Sequence, residues 1–273
     1  MSWHGHLTLS YRHDGGRTVV ADRHTGPLRI LKSLYPEGPA TCHNVLVHPP
    51  AGIAGGDVLA LDLDLAAGAH AFVTTPGATR FYRSGGREAL QTVNARVDAG
   101  ARLEWLPLET LCYPALQAQN RMAFTLAPGA EMIGWDVLAL GLPASGAPFD
   151  SGRFTQEIRL DGAWLERGTV DGTDHRLLRS PLGWDGQSVL ATMWFAAGTP
   201  LPTARRDALL AEARDALGDE PRAGATSPHP RVVVVRCLAH RVEPAMQHLT
   251  AVWQRWRRSA WDLAAPVPRV WRT

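Results

Sequence analysis

Cysteine is scarce in this chain: Cys42, Cys112 and Cys237 are the only three in 273 residues, widely spaced and without a C-x-x-C pair. That excludes a disulfide framework and a zinc knuckle. Long apolar runs are missing as well. None reaches the ~18 residues of a membrane span, and the opening "MSWHGHLTLSYRHDGG" lacks the apolar segment of a secretory signal. Charge of one sign is also in short supply. A net charge of +2 and an isoelectric point near 8.6 are too mild to argue for nucleic acid or an anionic membrane. These absences point to a reduced, soluble, cytoplasmic protein. With 45% hydrophobic and 20% charged residues the composition is that of a folded chain, and no shift in it marks a boundary, so one domain over 1–273 is expected.

The usual catalytic signatures are missing too. There is no G-x-S-x-G elbow, and the "DSG" around Ser151 reads as a turn with no matched histidine. The glycine-rich stretch "HPPAGIAGGD" (His48 to Asp57) is not a phosphate cradle, because no Lys-Ser or Lys-Thr follows it and the next residues alternate as a strand. Glycines ahead of a strand permit a bulge or a close backbone approach, and here they set Asp57 at a strand entrance, free to point inward.

What the chain does contain is a β pattern. "VLALDLDL" (Val58 to Leu65) puts four leucines on one face and Asp62 and Asp64 on the other, the period of a half-buried strand with a solvated acidic face. Gly-Ala turns recur at Gly68, Gly100, Gly129 and Gly162, about thirty residues apart, each feeding a new strand. Such units are too small to bury a face alone, so they stack. Period alone leaves open whether the layers wind as a solenoid or lie as a sandwich.

Helices come late. "TARRDALLAEARDALGDE" offers Thr203 as N-cap, a stripe of Leu209, Leu210, Ala213 and Leu217, and Gly218 as a stop. "EPAMQHLTAVWQRWRRSAW" places Met246, Leu249, Trp253 and Trp256 at helical spacing behind Pro244. Its arginines and tryptophans could grip single-stranded nucleic acid, but the stripe favours a core-facing helix with a basic outer face. "GDEPRAGATSPHP" (Gly218 to Pro230) is the loosest segment by composition, and "RVVVVRCL" after it reads as a buried strand. His4 with His6, and Cys42 with His43, are the closest approach to metal-ligand pairs.

Several longer motifs then occur in register. "GPLRILKSLYPEG", "HPPAGIAGGD", "TTPGATRFYRS", "LEWLPLETL", "LGLPASGAPF" and the terminal "PRVWRT" together resemble the urease accessory protein family UreD, also called UreH, from about residue 26 to the end. Departures from the family pattern are Ala51 for a glycine, Ala54 for valine, Arg80 for lysine, Leu108 for glutamine and Leu142 for arginine. The resemblance implies a mainly β fold, two layers of helically wound strands with a pair of helices near the C-terminal end. It also implies a scaffold rather than an enzyme, with no tightly bound cofactor. Family members bind apo-urease and UreF, which recruits the GTPase UreG, and the assembly delivers Ni²⁺ to the dinuclear urease site, a channel through the UreD subunit being the proposed route.

A conduit must hold its ion weakly. At an association rate of about 10⁷ M⁻¹s⁻¹ a micromolar site empties in roughly a tenth of a second, whereas a nanomolar site holds for minutes. Dense imidazole and thiolate clusters make tight sites; dispersed carboxylates make weak ones. Acids standing alone in apolar stretches are therefore the expected stops: Asp57, Glu109, Asp136 in "GWDVL" and Glu166 in "WLERGTV". The competing role for each is a structural ion pair or backbone bond. For partner contact, Arg80, Tyr82 and Arg83 combine the residue types enriched at hot spots. In the tail, Pro268, Arg269 and Trp271 give a stiff segment with one large anchor, unless it packs on its own domain. The alternative class is a carbohydrate lyase or hydrolase on a β-solenoid, which would set two acids in an open groove.

Overall fold

The computed structural model describes residues 2–272. In chain order the strands are β1 (His4–Asp14), β2 (Arg17–Thr25), β3 (Arg29–Ile30), β4 (Thr41–Val47), β5 (Val58–Leu65), β6 (His70–Thr74), β7 (Thr79–Phe81), β8 (Ala89–Val97), β9 (Arg102–Trp105), β10 (Thr110–Cys112), β11 (Leu116–Leu126), β12 (Glu131–Leu140), β13 (Gly152–Leu160) and β14 (Trp164–Asp171). The short helix α1 (His175–Arg179) leads to β15 (Val189–Ala197), α2 (Thr203–Leu217), β16 (Ala223–His229), β17 (Val232–Ala239) and α3 (Val242–Trp261).

From β4 to β13 the chain alternates between two sheets as it winds. Parallel strands β1, β5, β8, β11 and β13 form the centre of one sheet, with β2 and β14 added antiparallel at its edges. Parallel strands β4, β6, β9 and β12 form the other, extended by antiparallel β15, β17 and β16. The layers are thus both wound and face to face, which resolves the choice the periodicity left open.

The glycine repeat sets the pitch. Gly68, Gly100 and Gly129 take positive φ (73°, 70° and 81°) in the turns that carry the chain from the first sheet to the second. These turns stack through backbone bonds such as Gly68 N to Ala99 O at 3.2 Å and Glu131 N to Ala101 O at 3.1 Å. Gly162 breaks the series. Its turn closes the β13–β14 hairpin within one sheet, so the fourth unit ends the coil with an antiparallel cap rather than adding a rung.

Two cores result. Between the sheets lie the inward leucines of β5 (Leu59, Leu61, Leu63, Leu65) with Phe124, Phe154 and Trp194, as the alternation of "VLALDLDL" predicts. On the outer face of the second sheet, Phe195, Trp135 and Val235 meet Leu209, Ala213 and Leu217 of α2 and Leu249, Trp253 and Trp256 of α3. Each helix stripe read from the sequence is therefore the buried one, apart from Leu210 and Met246, which are only half-buried. Thr203 is the first residue inside α2; Pro202 stands at the cap position without a side-chain bond. The segment expected to be loosest corrects the reading of composition. Ala223–His229 is the edge strand β16, and Pro228 falls where its register to β17 shifts, a bulge at which a missing N–H costs nothing. No helix among the described residues is long and apolar enough to cross a membrane.

Candidate functional site

Three of the motif stretches meet at one place. A cavity of about 350 Å³ opens between the sheets, walled by the His48–Ile53 loop, the Thr75–Arg80 loop, Trp105 and Thr110 of the "LEWLPLETL" stretch, and Asp136. Glycine allows the first wall to close. A Cβ at Gly52 would lie 2.1 Å from the Tyr82 ring, and one at Gly55 would lie 2.8 Å from the Arg87 carbonyl. The stretch is thus a close-approach device, bridged to β7 by Ile53 N to Arg80 O at 2.7 Å. Ala51 occupies a left-handed conformation there (φ 67°), which an L side chain resists. Ala51→Gly should therefore stabilise the chain by up to about 1 kcal/mol in urea denaturation, the relief of strain exceeding the added freedom of the unfolded state; a net loss would show that the loop carries no strain.

The cavity wall mixes apolar surface with polar atoms that lack protein partners. Asp136 is 7% exposed and carries no hydrogen bond or ion pair on its carboxyl among the described residues. Burial, with the Glu166 charge second, pushes that carboxyl from 3.8 up to about 7. The Nε2 of His48 and the Nε1 of Trp105 are shut from solvent and unpartnered. Burial lowers the His48 pKa against the pull of nearby Asp57. Opposite, Gln91 Nε2 donates to Asn120 Oδ1 at 3.2 Å on the first sheet. Inside an otherwise apolar core these groups make a polar compartment with room for water.

The other predicted residues are dispersed. Asp57 is 3% exposed, but its carboxylate turns back onto the loop, accepting from Trp3 N at 2.7 Å and Ala54 N at 2.8 Å, and it is not on the cavity wall. Glu166 faces between the sheets and is held by the Arg236 guanidinium of β17. Glu109 is half-buried beside β10, with its backbone carbonyl bonded to Thr79 N at 2.9 Å. Only Asp136 of the four acids lines the cavity, with Glu166 close enough to perturb it.

Of the partner-contact residues, Arg80 lines the cavity, Tyr82 packs edge-on against Tyr113 at 4.9 Å, and Arg83 is exposed. The tail packs on its own domain. Trp271 donates to Thr74 Oγ1 at 2.8 Å and lies 5.1 Å from the Trp135 ring, which leaves Arg269 exposed and Pro268 half-buried. Thr273 of that motif lies outside the described residues. Leu142 closes an exposed tight turn, bridged to Ala147.

The suggested metal pairs have other employment. His6 binds Asp62 at 2.6 Å on the outer sheet face, and His43 binds Glu37 at 2.7 Å while stacking on Phe72. Among the described residues no three His, Cys, Asp or Glu side chains gather as a metal cluster.

Sequence reasoning missed His48, Gln91 and Asn120. A signal for two of them existed: in "ALQTVNARV" and "LQAQNRMAFTL" a single polar residue falls on the inward beat.

The family model for the UreD urease accessory protein matches residues 4–272. The chain belongs to the UreD family. Among curated relatives, the urease accessory protein UreD of Leptothrix cholodnii is 58% identical over all of both chains, and that of Variovorax paradoxus 57% identical over all of both. The UreD of Paracidovorax citrulli is 58% identical over 99% of each. Three of the motifs in which the resemblance was first read thus meet at the cavity, around one buried, unpaired acid, while the described residues of "LGLPASGAPF" and "PRVWRT" contribute nothing to its lining.

Proposed function

We propose that this chain is a non-catalytic, cytoplasmic urease maturation factor that binds apo-urease and UreF, reaches UreG through UreF, and guides Ni²⁺ toward the urease site through the polar compartment between its sheets. The observation that carries this reading is the convergence of three UreD motifs on a cavity whose one acid, Asp136, has no partner. A lone carboxyl with amide and hydroxyl neighbours suits brief occupancy by a hydrated divalent ion, while the absence of a gathered donor set among the described residues argues against storage. Asp136 and Glu166 are the stops we assign; Asp57 supports the loop through its two backbone bonds.

The carbohydrate-active alternative needs two carboxyls flanking a cleft. The cavity wall contributes one.

The test is production of urease subunits with the accessory proteins, with and without this chain. Removing it should abolish urease activation, and affinity capture of the chain should bring down apo-urease and UreF. Full activation in its absence would sink the proposal.

A further inference from the structure

A polar row leaves the cavity and crosses the first sheet to its edge. Gln91 of β8 is in register with Asn120 of β11, and Asn120 with Gln156 of β13. All three fall on the inward beat of strands whose other inward residues are apolar, such as Phe154, Ile158 and Leu160. Gln156 is the odd one. Both its Oε1 and its Nε2 are closed to solvent, and neither has a hydrogen-bond partner. A buried amide left unpaired on both atoms is costly, and proteins resolve such groups with water or an ion.

Beyond Gln156 the row ends in a gap. Its neighbour on the edge strand β14 is Gly168. The inward residues on either side are Glu166, bound to Arg236 across the sheets, and Val170 in the core, so a side chain at 168 would point inward between them. Gly168 has no positive φ, and a Cβ built there meets no atom within 4 Å. Neither backbone conformation nor packing calls for glycine at this position. What glycine leaves is unfilled space at the edge strand, next in register to an amide that is itself closed to solvent, so a cation reaches the amide only when the Gln156 side chain turns toward that space.

We propose that Gly168 is a doorway of the cation passage and that the Gln156 amide is its relay station, linking the β14 edge to the Asp136 cavity by way of Asn120 and Gln91. The ligand is a hydrated divalent cation. The Gln156 carbonyl oxygen offers it a neutral hard donor, and the amide N–H groups can hold its water shell. A neutral oxygen binds such an ion more weakly than a carboxylate does, which keeps the dwell time short between the charged stops. This inference rests on the passage assigned under the proposed function.

The test fills the doorway without touching an acid. Gly168→Phe projects a ring into the gap, and Arg167→Phe places the same ring on the outward face of the same strand, where Arg167 makes only a 3.7 Å surface pair with Glu157. Each variant is co-produced with the urease subunits and accessory proteins, and nickel per captured urease is measured by elemental analysis. Gly168→Phe should lower nickel loading at least tenfold while apo-urease still co-purifies, with Arg167→Phe within twofold of the parent. Gln156→Leu, which removes both unpaired atoms at similar volume, should melt at or above the parent temperature yet load less nickel; a lowered melting temperature with normal loading would make Gln156 a purely structural residue. Asp136→Asn is run in parallel. Normal loading by Gly168→Phe and Gln156→Leu alongside a loss in Asp136→Asn overturns the doorway and leaves the passage. Normal loading in all three overturns the passage itself.

Discussion

Asp136→Asn should yield a chain that is more stable than the parent above neutral pH and delivers less nickel. In the folded chain the Asp136 carboxyl is pushed up from 3.8 to about 7, first by burial and then by the Glu166 charge. Between those values the folded state keeps a proton that the unfolded state has released. The stability this proton confers is complete below the unfolded value and is lost as pH rises through about 7. The interval corresponds to on the order of 4 kcal/mol, and the polarisable cavity wall reduces it, so about 2–4 kcal/mol is the expected range. Asparagine has nearly the same shape and cannot ionise. Its advantage should be near zero at pH 4, grow with pH, and level off above about pH 7. Urea midpoints across that range read it directly, and a gain independent of pH would show that the carboxyl is not the cause. Nickel per urease, measured on the same variant, should fall. A side chain that weakens the fold where it is and lowers delivery when neutralised is one retained for what it does, the expected trade at a functional site.

The fold was legible because its repeating parts are local. Alternation in "VLALDLDL", the glycine turns at Gly68, Gly100 and Gly129 and most of two helical stripes each report on a few neighbouring residues and were read correctly, whereas Gly162, whose turn looks the same in sequence, closes a hairpin. The edge strand β16 was not, because its pairing to β17 is a tertiary fact that overrides a Pro-, Gly- and Ser-rich composition. The site was less legible for a related reason. Asp57 and Asp136 look alike in sequence, single acids in apolar stretches. What separates them is geometry: the "AGGD" turn curls so that Ala54 N reaches the Asp57 carboxylate and β1 brings Trp3 N alongside, whereas Asp136 stands mid-strand, where backbone groups are already committed to the ladder. Glu166 meets Arg236, 70 positions away, a pairing no local pattern encodes. Trp271 looked like a free anchor because the aromatic socket that receives it, Phe72, Trp135 and Trp253, is assembled from three distant elements.

Replacing Arg257 should be the most damaging single change away from the cavity, because a buried charge network fastens the helices to the wound sheets. Arg257 of α3 and Glu104 of β9 are both 0% exposed, with Nε 3.2 Å from the Glu104 carboxylate. Its Nη1 reaches Glu37 at 2.7 Å and also bonds the Ala264 carbonyl. Glu104 is further held by His70 Nε2 at 2.8 Å and Trp253 Nε1 at 2.6 Å, and Glu37 by His43. At Glu37, burial pushes the carboxyl upward, and the hydrogen bonds from His43 and Arg257 overcome it, leaving the group below its ordinary value. Arg257→Met keeps most of the packing volume but strands two carboxylates on one guanidinium's side of the sheet. Breaking a buried pair in this way costs about 3–5 kcal/mol, far more than the net worth of the intact pair, since the orphaned charge remains. For a chain of this size that is a fall of roughly 10 °C in melting temperature. Adding Glu104→Gln should recover a substantial part, because the amide still accepts from Trp253 and no longer needs a cation. A double-mutant cycle measures the coupling. Additive losses, or an Arg257→Met variant within about 1 kcal/mol of the parent, would mean that apolar packing of Trp253, Trp256 and Leu249 alone fixes the helices, and that the charges ride on that interface without holding it.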